Sequence, residues 1–387
     1  MTAMEHIRYL VEKIGPRGST TPREAEAARY AERVLRELGL DPVTETFTSA
    51  RSAWYPYVLF TGIVLFSEVL FWAAGRAGAI VAAILTAVAL ASVLLELAFR
   101  PNPLRWILPR GRSQNVWARV LPAGEVYRQV VVMGHLDTHR TPLAFSTDRW
   151  VRIFSRLVPI GLTSAVLLLV LFIGGAIWPG LGWRLASLPL ALVMLGLFLI
   201  TFQADFSPYT LGANDNATGA GIVLSLARRL KENPLCNTLV WLVLSGCEEV
   251  GCYGAEDFAR RHKDELGRAI WITLDSVGGE KSSPAYLTHE TFLLTVPSDP
   301  ELLVLAEEIA ARHPEWDAHA HHFRGAYTEG SIAGKYGFRV LTFTSHRRDG
   351  ILPQWHRPTD DLEHVDPKVV EHTEAFVWEL LQEIDRG

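Results

Sequence analysis

Apolar positions along this chain form long runs and short runs, with helical periodicity in the segments between them. Four runs are long, at about 57–74, 77–98, 157–178 and 185–202. A helix needs about 20 residues to cross a bilayer, so each run is long enough to span. Gly75 and Arg76 join the first two, and residues 179–184 join the second two, so the four read as two hairpins. Uninterrupted runs of that length are hard to bury in a soluble core, and a lipid bilayer is the expected surrounding.

The remaining segments alternate helix and strand patterns. MEHIRYLVEKI and PREAEAARYAERVLREL space Ile, Leu and Val as helices do, with a stop at residues 39–42. VTETFTS and SQNVWARV resemble strands. Short runs at 129–133, 238–244, 269–274 and 338–343 are rich in Val, Ile, Leu and Trp, which suits strands buried on both faces. Helical stretches at 219–230 and 300–312 separate them. The expected fold is α/β, a layered domain with a parallel or mixed central β-sheet flanked by helices. The expected division gives residues 1–53, 100–155 and 204–387 to that domain, and 54–99 and 156–203 to the transmembrane hairpins.

Candidate chemistry sits immediately after the short runs. The run at 129–133 leads into GHLDT, with His135 and Asp137, and the run at 238–244 into SGCEEVG, with Glu248 and Glu249. The run at 269–274 leads into Asp275. Asp215 lies in the Gly/Asn-rich LGANDNATGAG ahead of a helix, and His356 in QWHRPTDD after the last strand. Strand carboxyl ends are where open α/β sheets gather ligands. One such His or Asp is more often a turn residue or a cap, and paired glutamates are usually solvated; the joint occurrence shifts the balance. Imidazole and carboxylate together suit zinc, and a second ion needs a bridging carboxylate. Asp215, flanked by glycines, is the natural bridge. His135 and Asp275 would complete one ion, and Glu249 and His356 the other. Two ions roughly 3.5–4 Å apart clamp a water and polarise a carbonyl. Glu248, free of ligand duty, is left to take the proton. Asp137 faces the same side as His135 and is expected to fix its tautomer.

Charge and cysteine content narrow the class. A net charge of −5 and the lack of a dense Lys/Arg tract give no reason to expect nucleic acid. Cys236, Cys247 and Cys252 cannot make a disulfide framework and fit a reducing compartment. The opening MTAMEHIRYLVEKIGPRG carries charges where a cleaved signal needs an apolar core, so none is expected. An even number of crossings puts all other segments on one face. Arg51, Arg100, Arg105, Arg110, Arg112, Arg149, Arg152 and Arg156 lie on that face, against Arg76 and Arg184 on the links. The positive-inside rule then expects the catalytic domain in the cytoplasm.

In order, HLD, GANDNATG, the Glu-Glu pair, LDS and WHRPTD resemble the zinc aminopeptidase family of aminopeptidase Y and bacterial leucyl aminopeptidase, which are co-catalytic zinc exopeptidases. The opening HIRYLVEKIGPRGSTTPREAEAARYAERVLRELGL also looks like that family's first helices. The resemblance implies two zinc ions on His135, Asp215, Glu249, Asp275 and His356, with Glu248 as general acid and base, acting on a peptide or amide substrate. It leaves open amino-, carboxy- or dipeptidase action. It also places Tyr327, in GAYTEGS, in a substrate-lining loop, where its hydroxyl is a candidate oxyanion donor. Arg347 and Arg348 are candidates to pair with a substrate carboxylate. Both hairpins depart from the family pattern, and the second begins shortly after His135, so hydrophobic or membrane-delivered substrates are expected. The alternatives are a single-zinc acyltransferase like the related glutaminyl cyclases, and a non-catalytic membrane scaffold. Glu68, inside the first span, is a functional candidate by default. Cys247, Cys252 and the run His319, His321 and His322 read as packing or surface residues.

Overall fold

The computed structural model describes residues 1–387. In chain order the helices are α1 (Ala3–Arg8), α2 (Pro22–Glu37), α3 (Tyr55–Ala73), α4 (Gly75–Leu97), α5 (Asp148–Ile177), α6 (Leu181–Ala204), α7 (Gly219–Glu232), α8 (Tyr253–Leu266), α9 (Pro300–Arg312), α10 (Glu329–Lys335) and α11 (Pro367–Arg386). The strands are β1 (Val43–Ala50), β2 (Arg110–Val120), β3 (Arg128–His135), β4 (Thr238–Ser245), β5 (Ile270–Leu274), β6 (Ser283–Thr291), β7 (Thr295–Pro297), β8 (His319–Arg324) and β9 (Arg339–His346). Two compact units result: Met1–Arg51 with Arg110–Arg140 and Tyr209–Gly387, and Ser52–Pro109 with Thr141–Pro208.

The first unit is built on one mixed sheet, in the order β1-β2-β4-β3-β5-β9-β6-β7, with β8 beside β6. Its centre, β4-β3-β5-β9, is parallel, while β2 and β6 flank it antiparallel. The short apolar runs are these central strands, and Val130, Val132, Trp241, Leu242, Trp271, Ile272 and Leu341 are buried. Alternate residues point to opposite faces. Val130, Val132, Leu242 and Ile272 join the core shared with α1, α2, α7 and α11. Trp241 and Trp271 turn the other way and pack edge-on against Phe258 of α8. The expected three-layer α/β architecture is what forms. Local capping sets the helix starts: Thr2 and Glu5 close a reciprocal capping box on α1, and Thr21 caps α2 ahead of Pro22.

The second unit is four helices, each long and apolar enough to cross a membrane. α3 packs on α4 and α6, and α5 on α4 and α6. Small residues allow the close approach: a Cβ on Gly175 would sit 2.5 Å from the Phe71 ring. Glu68 turns into this bundle and accepts from Trp72 Nε1 (2.8 Å) and Ser187 Oγ (2.6 Å). Large apolar side chains face outward, Val69 at 61% and Leu192 at 68% exposure. The unit extends past the apolar runs themselves. α5 starts at Asp148, nine residues before the run beginning at Leu157, because Thr147 caps it by accepting from Trp150 N. After α4, Asn102 caps a short turn and Arg105 forms a buried ion pair with Glu96. Hydropathy reads the apolar span and is blind to such polar extensions.

Candidate metal centre

Register brings the candidate residues to the carboxyl ends of the central strands. His135 ends β3 opposite Ser245 of β4, and Met133 pairs with Thr273, two residues before Asp275. Three buried side chains tie the loops to those strand ends. Arg17 donates from Nε to the Leu136 carbonyl, from Nη1 to Leu10, Gly15 and Leu211, and from Nη2 to Gly212. It thereby fastens the loop after β3 to the loop before α7. Asp360 accepts from the amides of Asn214 (2.7 Å) and Asp215 (3.1 Å). Asp137 accepts from Ser19 Oγ (2.6 Å) and from the amides of Glu248 (3.0 Å) and Glu249 (3.2 Å). Two glycines permit the path. Gly212 holds φ +60°, and a Cβ on Gly219 would lie 2.3 Å from the Leu274 carbonyl oxygen.

The five expected ligands converge. His135 Nε2 lies 3.5 Å from Asp215 Oδ1 and 3.8 Å from Asp275 Oδ1. His356 Nε2 lies 3.5 Å from Asp215 Oδ2 and 3.1 Å from Glu249 Oε2. Donors 2.0–2.2 Å from a tetrahedral zinc stand about 3.3–3.6 Å from one another, so these separations are close to the edges of such a polyhedron. The two oxygens of Asp215 face different histidines. The His135 Nδ1 hydrogen faces the Asp137 carbonyl at 3.2 Å, with Asp137 Oδ1 at 3.5 Å, which leaves Nε2 as the donor toward a cation. His135 Nε2 and Glu249 Oε1 are buried with no hydrogen-bond partner. Glu248 stands outside both ligand sets, with Oε2 3.9 Å from His135 Nε2 and Oε1 accepting from Cys252 Sγ at 3.1 Å.

The electrostatics ask for positive charge. Burial pushes Glu249 well above the carboxylate range, with Asp215 and Glu248 adding to the rise. Burial does the same to Glu248, where Asp275 and Asp137 oppose the pull of His135. Burial disfavours a charged His135, yet Asp137, Asp215 and Asp275 hold it well above its usual value. The donor set, its spacing and its surplus of buried carboxylate fit divalent cations.

The other candidates are engaged with partners of their own. The Tyr327 hydroxyl donates to the Leu294 carbonyl, and Leu294 N donates back to it at 3.0 Å. Arg347 pairs with Asp349 and Arg348 with Asp317, both on the exposed surface. Sequence reasoning passed over Arg17, Asp360 and His139. His139 is buried, gives its Nδ1 hydrogen to the Arg140 carbonyl at 2.7 Å, and stacks on His356 with ring centroids 3.6 Å apart. Its donor atom, with those of Glu249 and His356, forms a group lying within 4.8 Å of one another. Burial lowers its pKa to about 4, so the ring is neutral. The only sequence signal for it was its place in HLDTH, four residues after His135.

Comparisons with known proteins show a family match in sequence and relatives in fold. Residues 198–381 match the profile of Peptidase family M28. Aminopeptidase YwaD of Bacillus subtilis (strain 168) is 24% identical over 195 residues, which is 48% of this chain and only 40% of that protein. BSAP, a zinc aminopeptidase from Bacillus subtilis, superposes with a TM-score of 0.59 at 14% identity, covering 99% of this chain and 94% of its own. Porphyromonas gingivalis glutaminyl cyclase superposes with a TM-score of 0.60 at 14% identity, covering 99% and 97%. At such identity the likeness to the solved structures is one of fold. The likeness in sequence to Peptidase family M28 covers residues 198–381, and the likeness in fold to zinc aminopeptidases and glutaminyl cyclases covers nearly the whole chain.

Proposed function

We propose that this chain, carrying a Peptidase family M28 segment on a zinc-aminopeptidase fold, is a membrane-embedded zinc exopeptidase that hydrolyses peptide or amide bonds. The observation that supports it most is Asp215, whose two carboxylate oxygens each lie 3.5 Å from a different histidine. One zinc would be held by His135, Asp275 and Asp215, and the other by His356, Glu249 and Asp215. Zinc there would polarise the substrate carbonyl and lower the pKa of water towards about 7.

The protein's own groups do the rest. Glu248 takes the proton of the attacking water and returns it to the leaving amine. The Cys252 thiol holds Oε1 of Glu248, which leaves Oε2 on the side of His135. Asp137 fixes the direction of both glutamates through their amides and keeps His135 Nε2 turned towards the ion. The outward apolar faces of α3 to α6 favour a bilayer around the second unit, and the arginine asymmetry favours a cytoplasmic catalytic unit. Since His135 precedes the second hairpin so closely in sequence, hydrophobic substrates are the favoured class.

The purified full chain in detergent should carry two equivalents of zinc and hydrolyse aminoacyl reporters. Glu248→Gln should reduce turnover by about 10²–10⁴-fold with metal content unchanged. A single equivalent of zinc with cyclisation of glutaminyl peptides would replace this reading by the glutaminyl-cyclase one. Full activity in Glu248→Gln would remove the mechanism.

A further inference from the structure

His139 belongs to neither expected ligand set, yet its ring lies against His356, and its surroundings decide what it does there. Its donor atom is within 4.8 Å of those of Glu249 and His356, which alone would suggest a further ligand. The stacking argues otherwise. The rings of His139 and His356 are nearly parallel, 16° apart with centroids 3.6 Å apart. An imidazole binds a cation in its own ring plane, at about 2.0–2.1 Å. An ion in the plane of His356 therefore lies off the plane of the nearly parallel His139 ring, where that ring has no lone pair to offer. As posed, both rings cannot hold the same ion.

The platform itself is well anchored. The Nδ1 hydrogen of His139 is given to the Arg140 carbonyl, and its own carbonyl accepts from Thr210 N at 2.9 Å. Arg140 bridges to Tyr209 as a short antiparallel pair. His356, by contrast, sits on the long loop after β9 in the left-handed region, at φ 55°, with Trp355 tilted over it at 4.7 Å. A ligand on such a loop depends on its neighbours for ring orientation.

We infer that His139 is a positioning residue whose stacked ring holds the His356 imidazole in the plane that aims Nε2 at Glu249 and Asp215. This rests on the two-zinc reading, and it separates the two ions: only the one bound by His356 depends on His139.

Zinc and cobalt affinities of the full chain in detergent, measured by chelator competition and cobalt absorption, test it. His356→Ala serves as the reference for loss of that ion. His139→Ala should weaken the same ion by about 10–100-fold, the range for removing an outer partner of a ligand. His139→Phe, which keeps a flat ring without a donor, should stay within about three-fold of the unaltered protein, a loss well below that range. The ion bound by His135 should be unchanged in both variants, which also reports an intact fold. Equal damage from Phe and Ala would make His139 a ligand and overturn the inference, as would normal binding in His139→Ala. If the unaltered protein held fewer than two ions, the two-zinc reading would fall, and this inference with it.

Discussion

Arg17 performs no chemistry, yet the geometry of the candidate centre passes through it. Its guanidinium gives its hydrogens to five main-chain carbonyls from three separate segments of the chain. A rigid planar fork suits that task and a lysine ammonium does not. Arg17→Met should strand buried carbonyls at about 1–3 kcal/mol each. We expect a total loss above about 3 kcal/mol in denaturant titration, with Arg17→Lys recovering only part. A loss below about 1 kcal/mol would mean that water replaces the side chain. In the sequence, nothing in GPRGS marks Arg17 as buried. His135, Glu249 and Asp275 were legible because each is a polar group closing a buried apolar run. Arg17 and Asp360 were not, because their partners lie between 119 and 195 positions away along the chain for Arg17's longest bonds, and 145 and 146 away for Asp360. His139 escaped for a related reason: stacking depends on where a distant loop comes to rest.

At the scale of elements, the central strands and the membrane-type helices follow from the length of their apolar runs, while the ends of the helices follow from caps. The run at 338–343 matches β9, whereas the half-polar β8 and the mixed β6 carry no long apolar run to mark them. Within α1, His6 is buried against the Tyr30 hydroxyl, with Nδ1 at 2.7 Å. Burial lowers its pKa from 6.5 to about 4. A histidine depressed in the folded state favours folding only while neutral. Its contribution is complete above about 6.5 and disappears as pH falls towards 4. Melting curves across that window should therefore fall more steeply for the unaltered protein than for His6→Leu; identical slopes would contradict it. In the helical unit, the hydrogen bond from Ser187 to Glu68 joins α6 to α3. Interhelical bonds of this kind average about 0.6 kcal/mol, so Ser187→Ala should shift stability in detergent only slightly. A loss of several kcal/mol would mark the pair as the keystone of the bundle.

For the whole molecule, the testable matter is sidedness. Cys236 is exposed on the first unit, whereas Cys247 and Cys252 are buried. A membrane-impermeant maleimide should therefore label Cys236 in inverted vesicles and spare it in intact cells, with Cys236→Ser as the blank. Labelling in intact cells would reverse the proposed orientation. Carbonate washing should leave the chain in the membrane fraction.

The first unit is assembled from three stretches of chain, with the second unit's helices threaded between them. His135 is synthesised before the second hairpin and Asp215 after it, while His356 arrives far later still. Domains tend to fold as units as they are made, but here the first unit cannot close until both helical hairpins have been synthesised. The candidate ligand set is complete only once His356 has emerged, after all four apolar helices.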